Sequence, residues 1–383
     1  MLGKVLRPIS IALAALIAIS VAVFAYRLFI ERAPQERGPE GYLTVVDLAN
    51  RTVSIPKNIS RVVAVGPGML RLLVYLGALD LVVGVEEIER SESPLGRDYA
   101  MAFGEVLENL PVVGPGGPRS PPDPEKIRLA KPDLVIMYRG YVQLYDPDRL
   151  SGEVGAPVLV VDYGPAGFLD LDYLKKTLTL LGEVLGREDR ARELCNYIDS
   201  IVDDLKTRAE NVEQKPKIYV GAVSYKGKQP FTSSQSHFPP LTLLNTKSMA
   251  DEVRPEGGFA SLDFEYILQN QPDYIFIDLN NLDVVIDDFS KDSAKYCALK
   301  AFREGRVFTI LPFNYYHTNI ATALANAYFI GKVLYPERFA DVDPVAKARE
   351  IYKVFLGVDI YDKFVKGFGR GFSSLSDVFS CGD

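Results

Sequence analysis

The strongest constraint on this chain is a pattern that it carries twice. In the first half Glu125-x-Ile127 is followed by four residues, Pro132-Asp133, and a short apolar run at 134–136. In the second half Glu265-x-Ile267 is followed at the same spacing by Pro272-Asp273 and the run 274–277. Each copy reads as a helix end, a Pro-Asp turn and a buried parallel strand. Pro-Asp before a strand is common, but two copies with identical internal spacing imply two similar α/β lobes. They also put one glutamate at the same point of each lobe.

The length of 383 residues is enough for two lobes with their own cores. With 48% hydrophobic and 24% charged residues, the chain has the balance of a globular protein. A net charge of -7 argues against a nucleic-acid partner, which calls for a basic stripe. Cys195, Cys297 and Cys381 stand far apart with no CxxC, which excludes a zinc ribbon or a disulfide framework and leaves the redox compartment open. There is no tryptophan but there are 21 tyrosines, so an aromatic-lined pocket would be built from tyrosine and phenylalanine.

At the N-terminus Lys4 and Arg7 precede an uncharged run at 9–26, closed by Arg27, Glu31 and Arg32. This suits a signal peptide or a single transmembrane anchor, with the basic end in the cytoplasm and the rest exported. No cysteine follows to carry a lipid. The expected organisation is an anchor at 1–33, a stalk at 34–42 rich in Pro and Gly, and an N-terminal α/β lobe at 43–167. Connecting helices follow at 168–214 and a C-terminal α/β lobe at 215–383.

A hairpin is expected at 43–56. Strands are expected at 61–65, 81–85, 134–137 and 158–161, alternating with helices in a mainly parallel, doubly wound sheet. No proline occurs from Ala166 to Lys215, and leucines recur at helical spacing through 174–205. Asp170 or Asp172 can cap this stretch, and Gly182 and Gly186 are expected to split it into a shorter and a longer helix. Strands resume at 218–222, 274–277 and 307–310, and the chain ends in helices.

Together these pieces resemble the substrate-binding proteins of ABC importers whose two lobes are joined by a single long helix, the group handling iron–siderophore complexes, haem and cobalamin. The matching residues are Arg61-Val-Val-Ala-Val-Gly-Pro67, Leu-Gly-Ala-Leu-Asp80-Leu-Val-Val-Gly84, and Glu125 through Lys131-Pro-Asp133. They continue with Leu181-Gly-Glu-Val-Leu-Gly186, Pro230-Phe-Thr-Ser-Ser234, and Glu265 through Gln271-Pro-Asp273, spanning about residues 43–355. The resemblance implies two Rossmann-like lobes with the ligand cleft between them, and a monomer working with an ABC permease dimer and its ATPase subunits. It also implies that Glu125 and Glu265 face arginines of the permease. Two features depart from the family pattern. Gly66-Pro67-Gly68-Met69-Leu70-Arg71 stands where relatives often have Ser-Pro-x-x-x-Glu, and the cleft tryptophan of many relatives is absent.

Gly66-x-Gly68-x-x-Arg71 also invites a dinucleotide reading, but arginine occupies the position that needs a third glycine. The loop still lies at the carboxyl end of a strand, where α/β folds hold ligands. The two histidines, His237 and His317, sit in loops with Ser233 and Ser234 and with Asn314, Tyr315 and Tyr316. Histidine and tyrosine suit contacts to a ferric chelate, or direct ligation of iron. Arg119, Arg139, Lys226 and Lys228 in loops can clamp an anion, and Arg139 beside Tyr138 at a strand end is favoured. The expected ligand contacts are therefore Gly66, Pro67, Gly68, Arg119, Tyr138, Arg139, Tyr225, Lys226 and the two histidine loops. The cargo would be a metal chelate of iron-siderophore, haem or corrinoid type; no cofactor or resident metal is assigned. A molybdate- or tungstate-like oxyanion is the alternative on the same fold. A surface enzyme or metallochaperone is a further one, although Gly-x-Ser-x-Gly, His-Glu-x-x-His and P-loop motifs are all missing.

The anchor generates a first prediction. The full-length chain partitions with membranes, and a chain starting near Gly41 is soluble and folded. Recovery of the full-length protein in the soluble cytoplasmic fraction would contradict it.

Overall fold

The computed structural model describes residues 41–212 and 215–382. The expected anchor and most of the stalk lie outside them. Among the described residues no helix is long and apolar enough to cross a membrane.

An antiparallel hairpin, β1 (Tyr42–Val46) and β2 (Thr52–Pro56), opens the chain. It covers an edge of the first sheet, where Leu48 N–H donates to Val160 O at 3.0 Å. That sheet is parallel and four-stranded, in the order β4 (Val82–Gly84), β3 (Val62–Val65), β5 (Leu134–Tyr138), β6 (Val158–Val161). Alternate residues serve opposite faces. Val62, Ala64, Leu134, Ile136, Leu159 and Val161 join one apolar cluster, whereas Val63, Val65, Val135, Met137, Val158 and Val160 join another. Burial on both faces explains why these strands read as continuous β-branched runs in the sequence. The second lobe has a parallel sheet in the order β11 (Val307–Ile310), β10 (Tyr274–Asp278), β7 (Ile218–Gly221). An antiparallel pair, β8 (Ser233–Ser236) and β9 (Gly258–Ser261), forms a separate two-stranded sheet in the same lobe.

The sequence repeat is a structural one. Asp123 and Asp263 accept backbone N–H bonds at the start of the helices Pro124–Leu129 and Phe264–Asn270, which puts Glu125 and Glu265 in the exposed first turns. Lys131 and Gln271 end these segments in the left-handed conformation, at φ 49° and 45°. Next, Asp133 accepts from the N–H of Arg61 at 2.9 Å, and Asp273 from the N–H of Lys217 at 3.0 Å. Each Pro-Asp carboxylate thus fastens the neighbouring parallel strand, β3 or β7, to the strand that it starts. The motif recurs because both lobes solve the same strand-pairing problem.

The linking segment forms the expected shorter and longer helix but is broken at one of the two expected glycines. Two helices, Leu171–Leu185 and Glu188–Ala209, pack side by side. Only Gly186 breaks them, as a left-handed cap at φ 64°. Gly182 lies inside the first helix, where a Cβ would come within 2.6 Å of Ala191 Cβ, so it serves helix–helix contact. Asp170 provides the N-cap.

A second correction concerns the cysteines. Cys297 and Cys381 form a disulfide across a separation of 84 residues, which the scattered spacing concealed. It pins the C-terminal tail, whose Leu375 N–H donates to Val307 O, against the edge strand β11. Reduction of this bond is expected to lower stability by about 2–5 kcal/mol, the usual effect of opening a native disulfide that closes a long loop. Urea unfolding with and without reductant measures it, and an unchanged midpoint would refute it.

Candidate functional site

The carboxyl ends of the two sheets face each other, and several expected ligand residues meet there. Gly66, Pro67 and Gly68 leave β3 and are buried. Gly66 (φ 97°) lies against Tyr138 and Tyr141, and Gly68 (φ 80°) against Tyr163, in each case too closely for a side chain. The two glycines therefore allow aromatic rings to approach the backbone, rather than a pyrophosphate. Across the junction Gly167 N–H donates to Thr318 Oγ1 at 2.8 Å, and within the second lobe Asn314 Nδ2 donates to Ser224 O at 3.1 Å. The ring of His317 lies 4.1 Å from Tyr163 and 5.6 Å from Tyr138, centre to centre.

Other expected residues form the rim. Arg139 is exposed beside Tyr138. Exposed Arg119 follows Gly117, which touches Tyr316 and Tyr141. Tyr225 stacks on Phe259 at 4.2 Å with the Lys226 ammonium 4.8 Å from the Tyr225 ring centre. Phe259 in turn abuts Gly167.

Two expectations need revising. Ser233 and Ser234 lie in strand β8, not in a loop. Their buried hydroxyls donate to Val223 O (2.9 Å) and Val220 O (2.7 Å), leaving neither proton for a ligand. His237 is exposed on a separate cavity of about 690 Å³, lined also by Phe168, Leu169, Lys217 and Met249.

The Tyr316 side chain is also committed internally. It is 8% exposed, and its hydroxyl donates to Glu86 Oε2 at 2.6 Å and accepts from Gly117 N–H at 3.0 Å. Glu86 Oε2 accepts in addition from Gly66 N–H at 3.0 Å. Burial raises the Glu86 carboxyl to about 7, against the lowering effect of the bonds from Tyr316 and Gly66. Tyr315, half-buried, presents its ring to the Arg97 guanidinium at 5.5 Å.

Below this loop lies Arg71, which has no exposure. Its Nε donates to Asp98 Oδ1 at 2.8 Å, and Nη1 to Tyr163 OH (2.7 Å) and Tyr316 O (3.2 Å). Nη2 donates to Tyr315 O at 3.2 Å and to Asn319 Oδ1 at 2.5 Å. All five guanidinium N–H groups are thus used, three of them on oxygens of the opposite lobe, two backbone carbonyls and the Asn319 amide. Tyr316 and His317 occupy left-handed backbone at φ 51° and 79°, unusual for non-glycine residues and maintained here by this network.

His317 is neutral. Burial, with Arg71 nearby, depresses its pKa to about 3. Its Nδ1 accepts from Thr318 N–H at 3.0 Å, so the proton sits on Nε2, which faces Asp162 Oδ1 at 3.8 Å and the Gly164 backbone without a hydrogen bond of normal geometry to either. Burial also raises the Asp162 carboxyl above its usual range, against bonds from the Tyr163 and Gly164 amides. Among the described residues no group of three or more His, Cys, Asp or Glu is arranged to hold a metal.

Sequence reasoning missed Arg71, Glu86, Asp98, Tyr163, Asn319 and Phe259. Glu86 carried one usable signal: it lies two residues past the end of β4, at the same end of the parallel sheet as Gly66. Arg71 was visible only as the residue that spoils a glycine motif. Replacing Arg71 with methionine should cost about 3–5 kcal/mol, because it strands the Asp98 carboxylate in the core. Urea unfolding of that variant reads the loss directly; a change below about 1 kcal/mol would show that the network contributes little.

The sequence pattern of the periplasmic binding protein family matches residues 62–312, more than half of the chain. Among characterised relatives, the molybdate-binding protein MolA of Haemophilus influenzae is 24% identical over 334 residues, covering 81% of this chain and 90% of MolA. The petrobactin-binding protein YclQ of Bacillus subtilis is 23% identical, over 58% of this chain and 64% of YclQ. A periplasmic solute binding protein of Veillonella parvula superposes with a TM-score of 0.66 at 19% identity, covering 85% of this chain and 96% of that one. With its two facing parallel sheets and strand-end junction, the chain belongs to the periplasmic binding protein family, the substrate-binding components of ABC transporters.

Proposed function

We propose that the protein captures an anionic metal chelate outside the cytoplasm and delivers it to an ABC permease with its ATPase subunits. The supporting observation is the rim of the strand-end junction. Arg119, Arg139 and Lys226 are exposed there, and none of them forms an ion pair among the described residues. Lys226 lies 4.8 Å from the centre of the Tyr225 ring, which stacks on Phe259. Unpaired cations next to an aromatic platform suit a broad, negatively charged complex of the siderophore type, gripped at its edges. The petrobactin-binding relative supports that cargo class. Because Tyr316 is locked to Glu86, the aromatic contacts fall to Tyr138, Tyr225 and Phe259 rather than to a Tyr315–Tyr316 cage.

An extracytoplasmic setting is supported by the Cys297–Cys381 disulfide, since such bonds persist in oxidising compartments. The reading is that of a carrier and not an enzyme. The exposed Glu125 and Glu265, held at matching helix starts, serve as the permease-docking pair in this proposal. Their replacement by alanine should impair import while leaving ligand affinity almost unchanged.

A second reading, a small oxyanion such as molybdate, is favoured by one observation, the buried and unpartnered Nε2–H of His317, and by the molybdate-binding relative. Calorimetric titration separates the two. The chelate reading expects tight binding of ferric tris-catecholate, weakened about tenfold or more in Arg139→Ala/Lys226→Ala. Binding of molybdate with no response to the ferric complex, and loss of it in His317→Phe, would instead establish the oxyanion reading.

A further inference from the structure

The carboxylate of Glu86 bonds directly to strand-end loops of both lobes. On the N-terminal side it accepts from the Gly66 amide at the end of β3. On the C-terminal side it accepts from the hydroxyl of Tyr316, in the loop after β11. Gly117 closes the ring. Its N–H donates to the Tyr316 hydroxyl, and its carbonyl accepts from Tyr141. We propose that Glu86 is a positioning residue whose protonation state sets how firmly the Gly66 loop and the Tyr316 loop are held against each other, and therefore how well the ligand face is pre-organised. The functional consequence rests on the ligand lying between the lobes; the loop ordering itself does not.

The surroundings explain why this group is free to respond to pH. Tyr316 and Tyr141 face it with hydroxyls that stay protonated at neutral pH. Glu89, from the adjoining helix Ile88–Ser91, adds negative charge, but is itself paired with Arg97 at 2.6 Å and bonded by Tyr99 at 2.6 Å. No cation forms an ion pair with Glu86 among the described residues, so its charge is stabilised by hydrogen bonds alone. In the packed loops the carboxyl titrates at about 7, raised by burial. When the loops loosen and water enters, it returns toward its ordinary value of about 4.3. Between those values the packed form binds a proton that the loosened form does not. Acid therefore consolidates the packing, and a rise in pH through about 7 loosens it.

Hydrogen exchange of the full-length protein tests this without any ligand. Peptides containing Gly66 and Gly117, corrected for intrinsic exchange, are followed from about pH 5.5 to about pH 8.5. The expected result is a loss of protection of about tenfold or more, most of it between about pH 5.5 and about pH 7, levelling off above that as a carboxyl at about 7 in the packed form requires. In Glu86→Gln, which mimics the protonated acid, protection stays flat across that range; in Tyr316→Phe it is lowered at acid pH. A wild-type profile with no step, or the same step in Glu86→Gln, overturns the proposal. If Glu86→Gln fails to fold, the wild-type series and Tyr316→Phe still decide. Because no cargo is used, a mistaken ligand reading cannot produce either outcome.

Discussion

A guanidinium sealed from solvent must find partners for five N–H groups, and Arg71 does so with groups from both lobes. The cost of burying its charge is offset by Asp98, and by bonds that leave none of its donors idle. Two of those bonds end on the carbonyls of Tyr315 and Tyr316, where the backbone would otherwise avoid the left-handed region. The loop that carries His317 is held from beneath by this side chain, and from the side by Glu86 through Tyr316. Tyr163, a second partner of Arg71, extends the arrangement by packing against His317 and donating to Thr318 O. Geometry at the candidate site thus descends from a buried ion pair well below the rim.

Legibility in the sequence followed the range of the interactions. The Pro-Asp repeat was visible because its causes are local: an aspartate cap, a left-handed helix end and a carboxylate that fastens the adjacent strand. The strands of the first sheet were visible because burial on both faces leaves uninterrupted β-branched runs. What stayed hidden depends on distant partners. Arg71 and Asn319 are far apart in the chain, and neither has neighbours that announce a network. The disulfide joins cysteines with no spacing signature. Ser233 and Ser234 read as loop residues because a strand of Ser-Ser-Gln-Ser has no apolar alternation to reveal it, although all four residues are buried.

The two lobes meet through more than the linking helices. Gln235 reaches from β8 to Gly167, Gly167 to Thr318, and Arg71 to the Tyr316 carbonyl, so the strand-end junction is laced by groups from several elements. Helix Pro344–Leu356, late in the chain, packs on helix Met69–Tyr75 of the first lobe. Wide hinge motion would break many of these contacts together. Small adjustments of the rim and of the Tyr316 loop are the changes that this architecture permits at low cost.

The central claim is that the strand-end junction carries an anionic metal chelate, and native mass spectrometry of the protein purified from the cell that makes it, with no ligand added, tests that most directly. The account predicts a one-to-one complex whose added mass and isotope pattern are those of an organic ligand bearing a metal. A bare oxyanion, or an organic molecule without metal, would contradict it.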